Sequence, residues 1–309
     1  MNSSPRPAIQ LYSVRDLQET LPEIIARVGE TSFEGVEFAK RLRNADPTET
    51  AAALEANEIE PVAAHADLPE IEAAIEGRND LLDRYKTIGC DRVVVPHVAP
   101  EHFRNQRAVG QLADRLTDVA TDLGTHGIEL GYHTVRFDCY PFLPSIAETL
   151  LTSGPLPGGI ANHARRVFAA YRLNDPSLLP NDTGLFNLFS QTRPGDVFFE
   201  LESAELTAAG LDPAAVLSRF ERRSPLLHLR DVAPTGRFGA YENAQPGEGV
   251  VDFASLVDTA SAEGVEWLVH EDETDHHPTT KITEGAAFLD GLLNIDHPSS
   301  RTGTASADD

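Results

Sequence analysis

The chain has 309 residues, 41% of them hydrophobic and 24% charged, which is ample for a large buried core and too apolar for a disordered chain. Its formal charge is −24, from 49 acidic and 25 basic side chains, and such a surface is a poor partner for a nucleic-acid backbone, whose affinity comes from cationic groups. No window approaches the roughly 18 continuous apolar residues of a membrane span, and the opening MNSSPRPA lacks the apolar core of a secretion signal, so a cytoplasmic protein binding neither nucleic acid nor membrane is expected.

Short runs rich in Val, Ile and Phe alternate with longer amphipathic stretches, the pattern of βα units around a parallel sheet. Eight such runs begin near Ala8 (AIQLYS), Gly35 (GVEFA), Glu60 (EPVAAHA), Arg92 (RVVVPH), Gly127 (GIELGYH), Asp196 (DVFFELE), Pro225 (PLLHLRD) and Glu266 (EWLVHED). Eight units predict an α/β fold, a (β/α)8 TIM barrel, as one domain over residues 1–296. The interval from Gly127 to Asp196 is about twice the others, so an insert is expected after the fifth strand, at about 139–181, with a short helix near 161–171. An excursion on that face serves as a lid, an oligomer contact or a passive surface loop. Residues 297–309 are small, polar and acidic and are expected to form a disordered tail. Basic residues are mostly arginine, with lysine only at Lys40, Lys86 and Lys281, a composition that suits a halophilic, salt-rich cytoplasm. Cys90 and Cys139 are too few for a disulfide framework and lack metal-motif spacing; both are expected to be reduced packing thiols.

In such a barrel, chemistry sits at the C-terminal strand ends. Residues two apart share a strand face, so in LLHLRD His228 and Arg230 point inward, in DVFFELE Glu200 and Glu202 do so, and in EWLVHED Glu271 reaches the lip. With Asp138 beyond the fifth strand, the inward set Asp138, Glu202, His228 and Glu271 offers three carboxylates and one imidazole. That donor set suits Mn²⁺, Mg²⁺ or Co²⁺ better than structural zinc. Glu200 is expected only to pair with an arginine, Tyr12 and Trp267 to pack, and most of the EDETDHH run at 271–277 to be a solvated loop.

IQLYSVRD, GVEFA, GYH, FFELE, HLRD, GEGVVDF and EWLVHEDE, in that order across most of the chain, resemble the sugar phosphate isomerase/epimerase family of xylose-isomerase-like barrels. The resemblance implies one divalent metal, Mn²⁺ foremost with Mg²⁺, Co²⁺ or Zn²⁺ as the other candidates, held by Asp138, Glu202, His228 and Glu271. Two departures stand out: YHTVRFDC replaces a YHNHxFEF-like run and ELE replaces ELD, which exchanges the carboxylate lengths at 138 and 202 and makes His133 the reserve ligand. The implied chemistry is proton removal next to a carbonyl through an enediolate, with Glu271 as ligand and general base and Asp138 as the opposing acid. His65, His97 and His133 would bind sugar hydroxyls, Glu37 would orient one, and the fork of Arg230 would take an anionic group. A small sugar or sugar-derived molecule is the expected substrate, and family members often form homo-oligomers. Two alternatives are a keto-cyclitol dehydratase on the same barrel and a non-catalytic binding protein with a decayed metal site. An endonuclease on this barrel is a distant fourth reading, since it would need a basic groove and the charge of −24 argues against one.

Overall fold

A computed structural model describes residues 4–142, 183–220, 222–236 and 240–293. The strands are β1 (Arg6–Gln10), β2 (Gly35–Phe38), β3 (Glu60–His65), β4 (Arg92–Val95), β5 (Glu129–His133), β6 (Val197–Glu202), β7 (Leu226–Leu229), β8 (Asp231–Pro234), β9 (Tyr241–Ala244) and β10 (Trp267–His270). Each predicted run supplies one strand of a closed parallel barrel in the order β1-β10-β7-β6-β5-β4-β3-β2, while β8 and β9 form a separate antiparallel pair at the end of β7. The fold is the expected (β/α)8 TIM barrel.

Helices between the strands start on sequence-encoded caps. Thr20 and Glu23 form a reciprocal capping box before the helix Leu21–Gly29, with Pro22 at its start. Asp46 and Asn105 cap the helices Pro47–Ala56 and Gln106–Gly124 through their side chains. Among the described residues the longest helix, Gln106–Gly124, buries Val109, Leu112, Leu116, Val119 and Leu123, three or four residues apart, against the barrel. Alternation along the strands sends Ile9, Val36, Phe38, Tyr132, Phe199, Leu201, Leu227 and Leu268 outward into this helical layer, where each contributes about 1.5–3 kcal/mol by leaving water.

Inside the barrel a lower tier of Ala8, Val62, Ala63, Val94, Phe198, Leu226, Trp267 and Val269 forms a separate apolar cluster. Gly35 and Gly131 belong to this tier because larger neighbours fill their side-chain space: a Cβ would lie 2.9 Å from the Trp267 ring at Gly35 and 2.3 Å from the Phe198 ring at Gly131. One step higher the alternating positions turn polar, and that tier carries the candidate site. Apart from residues 139–142, the expected insert and its helix lie outside the described residues, as does the acidic tail at 297–309. Flanking that segment, Pro141 and Thr183 pair in an isolated antiparallel bridge. Among the described residues no helix is long and apolar enough to cross a membrane. Cys90 and Cys139 are buried and free, as expected.

Candidate metal centre

The polar tier of the barrel is built by seven residues from six strands or strand ends: Glu37 (β2), His65 (β3), His133 (β5), Glu200 and Glu202 (β6), His228 (β7) and Glu271, directly after β10. Parallel pairing sets their heights, with Glu202 beside His228 and His133 beside Glu200 in register. His228 is the hub. Its Nδ1 lies 3.1 Å from Glu271 Oε2 and 3.7 Å from Glu202 Oε2, while its Nε2 lies 2.6 Å from Glu37 Oε2 and 3.3 Å from Glu200 Oε1. His133 Nε2 approaches Glu202 Oε2 at 3.8 Å, and His65 Nε2 lies 2.9 Å from Glu200 Oε2 and 3.0 Å from Glu37 Oε1. Two groups of donor atoms result, each within 4.8 Å of one another: His133, Glu202, His228 and Glu271 in one, Glu37, His65, Glu200 and His228 in the other.

Four buried carboxylates meet one permanent cation here, Arg230, and the histidines respond to the excess. Burial works against a charged His228, yet Glu200 and Glu37 raise its pKa well above the ordinary histidine value. His65 behaves likewise: burial lowers it, Glu37 and Glu200 overcome that, and it rises to about 10. Burial pushes Glu200 up, but His228 and His65 hold it well below the usual carboxylate range. Burial also pushes Glu202 up, and Arg230 with His133 and His228 reverses that. Glu271 stays above the usual range because its burial outweighs its contact with His228. A cluster that must recruit protons to balance its carboxylates is suited to a divalent cation, which would supply the missing positive charge.

Above this floor opens a cavity of about 480 Å³. Glu202, Glu271, His65, His133 and Arg230 line its base, and Tyr12, Lys40, Asn44, Tyr85 and His97 its walls. The cavity is large enough for a sugar-sized molecule and is lined by polar as well as apolar groups.

The residues expected from sequence separate into two sets. Glu202, His228 and Glu271 come together, and His133 completes their group. Asp138 does not join them: it lies in a 3-10 turn after β5, where its Oδ2 accepts bonds from Tyr132 OH (2.7 Å) and the Val135 amide (3.1 Å). Burial pushes its carboxyl well above the normal range despite those bonds. It neither lines the cavity nor belongs to either donor group. His65 and His97 line the cavity, but Glu37 sits below it, bonded to the Gln10 amide at 2.7 Å and to His228. Arg230 does not present a free fork. Its Nε faces Glu202 at 3.2 Å, and its terminal nitrogens lie 2.7 Å from Glu205 and 2.7 Å from Glu273. Glu200, expected to pair with an arginine, faces two histidines instead. Sequence reading missed Gln10, which shares the inward phase of β1 and orients Glu37, and Glu205, a helical residue with no strand periodicity to mark it. Tyr12 lines the cavity wall and Trp267 packs in the apolar tier.

No family model and no curated protein matches the sequence. The fold is shared with solved structures at low identity. A sugar phosphate isomerase/epimerase from Parabacteroides distasonis superposes with a TM-score of 0.68 at 16% identity, covering 93% of this chain and 96% of that one. The IolI protein with a bound zinc atom gives 0.66 at 12% identity, over 94% and 98% of the two chains. The probable 3-DHS dehydratase AsbF from Bacillus anthracis gives 0.66 at 12% identity, over 92% and 98%. The class that the fold defines is thus the (β/α)8 TIM barrel, and the solved structures it resembles are described as a sugar phosphate isomerase/epimerase, a probable dehydratase and a xylose isomerase domain protein. At these identities the likeness establishes the barrel, not the reaction.

Proposed function

We propose that the protein is a divalent-metal-dependent sugar isomerase whose metal is held by His133, Glu202, His228 and Glu271. The observation that carries this reading is the convergence of those four donors, from four strands or strand ends, at the base of a cavity open to a small molecule. Two imidazoles and two carboxylates accept Mn²⁺, Co²⁺ or Zn²⁺. The zinc reported for the similarly folded IolI protein is consistent with that donor chemistry. A bound divalent ion would supply Lewis-acid polarisation of a carbonyl and its neighbouring hydroxyl.

The remaining work falls to the side chains. Glu271 lines the cavity beside the other donors, which puts a carboxylate where a general base would remove the proton next to the carbonyl. Glu202 is kept ionised by Arg230 and suits a permanent ligand. Arg230, spanning Glu202, Glu205 and Glu273, fixes the carboxylates rather than the substrate. His97 and Tyr12 on the walls would bind sugar hydroxyls.

The position of Asp138 favours isomerisation over epimerisation. Moving a proton between adjacent carbons on one face needs a single base, whereas inversion needs a second carrier on the other face, and Asp138 does not reach the cavity. A dehydratase, the reading that the AsbF-like barrel favours, begins with the same proton removal and then expels water. The decayed-site alternative is disfavoured because a complete donor set survives in the outer group. Incubating Mn²⁺-loaded protein with aldoses, ketoses and keto-cyclitols in D2O separates these readings. Deuterium next to the carbonyl in an aldose–ketose pair supports the isomerase, and loss of one water with new ultraviolet absorbance supports the dehydratase. No exchange with any substrate class, from protein that binds the metal, would overturn both.

A further inference from the structure

Beneath the outer ligand set, Glu37, His65, Glu200 and His228 form a second group of donors on four separate strands, and we infer that it is a second divalent-metal site sharing His228 with the first. The two nitrogens of this one ring face opposite ways: Nδ1 toward Glu271 and Glu202, Nε2 toward Glu37 and Glu200. The lower group therefore does not compete with the upper one for a ring atom. Its donors are two imidazole nitrogens and two carboxylates, the four-coordinate mixed set that zinc accepts.

Two further observations point to a cation. Glu37 Oε1 and Glu200 Oε1 are fully buried and face only the ring nitrogens of the same donor group, His65 Nε2 at 3.0 Å and His228 Nε2 at 3.3 Å, neither in good hydrogen-bond geometry. Buried carboxylate oxygens so placed are costly unless a positive charge sits among them, and a divalent ion would supply it in place of the ring protons. The other Glu37 oxygen is held by the Gln10 amide, whose own Oε1 accepts from the Tyr12 amide, so the carboxylate has the outer support that ligands of bound metals characteristically show.

The lower site differs from the upper one in access. Glu37, Glu200 and His228 are inaccessible, and only His65, whose side chain is 15% exposed, touches the cavity. An ion there would have no open position for substrate; it would enter past His65 and remain as fixed charge under the outer site. With both sites filled, His228 would bridge through both nitrogens and release its ring proton to solvent. The two divalent ions and Arg230 would then balance four carboxylates and the imidazolate.

The inference depends on the proposed outer ligand set only for the sharing of His228, and zinc stoichiometry separates the two. Full-length protein stripped with chelator, reloaded with Zn²⁺ and freed of excess metal by gel filtration is analysed for zinc per chain. The expected values are two in the wild type, one in Glu37→Gln, one in His65→Gln and one in Glu271→Gln. His65 lies at the cavity edge, so its variant keeps the test meaningful if Glu37→Gln fails to fold, and circular dichroism verifies each variant. Replacement by Co²⁺ should give two sets of visible d–d bands, one lost in each lower-site variant. One zinc in the wild type that survives Glu37→Gln and His65→Gln would overturn the lower site and leave the outer one standing. One zinc lost in Glu37→Gln but kept in Glu271→Gln would overturn the shared centre and the outer reading together, and no zinc at all would overturn both sites.

Discussion

The Tyr132 hydroxyl donates a 2.7 Å hydrogen bond to Asp138 Oδ2, joining an outward-facing residue of β5 to the turn that follows it. Both side chains are buried, and the same oxygen accepts from the Val135 amide. This makes Asp138 a turn-holding residue. Asp138→Ala should lower stability by about 1–3 kcal/mol, the cost of stripping partners from buried donors, while Mn²⁺ affinity stays within about twofold. Urea denaturation and metal titration on the same variant check both halves; a large loss of metal affinity would return Asp138 to the site.

Arg230 is buried among Glu202, Glu205 and Glu273, with Asn243 as a fourth partner at 3.1 Å. Removing a buried cation leaves its carboxylates uncompensated, so Arg230→Gln should destabilise the protein on the order of 3–5 kcal/mol. Arg230→Lys should recover little of this, because one ammonium group cannot span three carboxylates placed around a planar fork. An unchanged urea midpoint in Arg230→Gln would contradict this and free the arginine for substrate.

Two buried histidines should give the metal-free protein opposite pH limbs. Burial holds His270 down at about 4, between Phe33 and Phe288, so the folded state keeps it neutral while the unfolded chain protonates it. Its contribution is complete above the ordinary histidine value of 6.5 and is lost as pH falls from there toward 4. His65 runs the other way. Burial disfavours its charge, but Glu37 and Glu200 lift it to about 10, so its stabilisation is complete below 6.5 and is lost as pH rises through 10. The acid limb is on the order of 3 kcal/mol and the alkaline limb on the order of 5 kcal/mol. Urea midpoints from pH 4 to 10 in chelator should show the acid limb flattened in His270→Leu and the alkaline limb flattened in His65→Gln; unaltered limbs would refute the assignment.

The barrel was legible because each strand carries its own apolar run between amphipathic stretches, and in the last four strands of the barrel ionisable residues close the run, with period-two alternation that placed Glu202, His228 and Glu271 inward. Alternation gives the side of a residue but not its neighbours. His65 and Glu200 meet although 135 residues separate them, and nothing local in either run marks the pairing. Glu37 was expected at the cavity and lies beneath it because height in the barrel depends on strand stagger, which includes a register shift between Val36 and Glu37. Asp138 lies past the end of its strand, where periodicity no longer indicates direction and the local bonds to Tyr132 and Val135 decide it. The free fork expected of Arg230 failed for a related reason: its partners Glu205 and Glu273 come from a helix and a loop whose approach the strand pattern does not encode.

The central claim is that His133, Glu202, His228 and Glu271 hold a divalent ion, and Mn²⁺ titration followed by electron paramagnetic resonance tests it most directly. Wild-type protein should suppress the free Mn²⁺ signal until its sites fill, while in His228→Ala the signal should appear from the first addition. If the wild type leaves Mn²⁺ free even at millimolar concentration, or if His228→Ala binds as tightly, the account of this site is wrong.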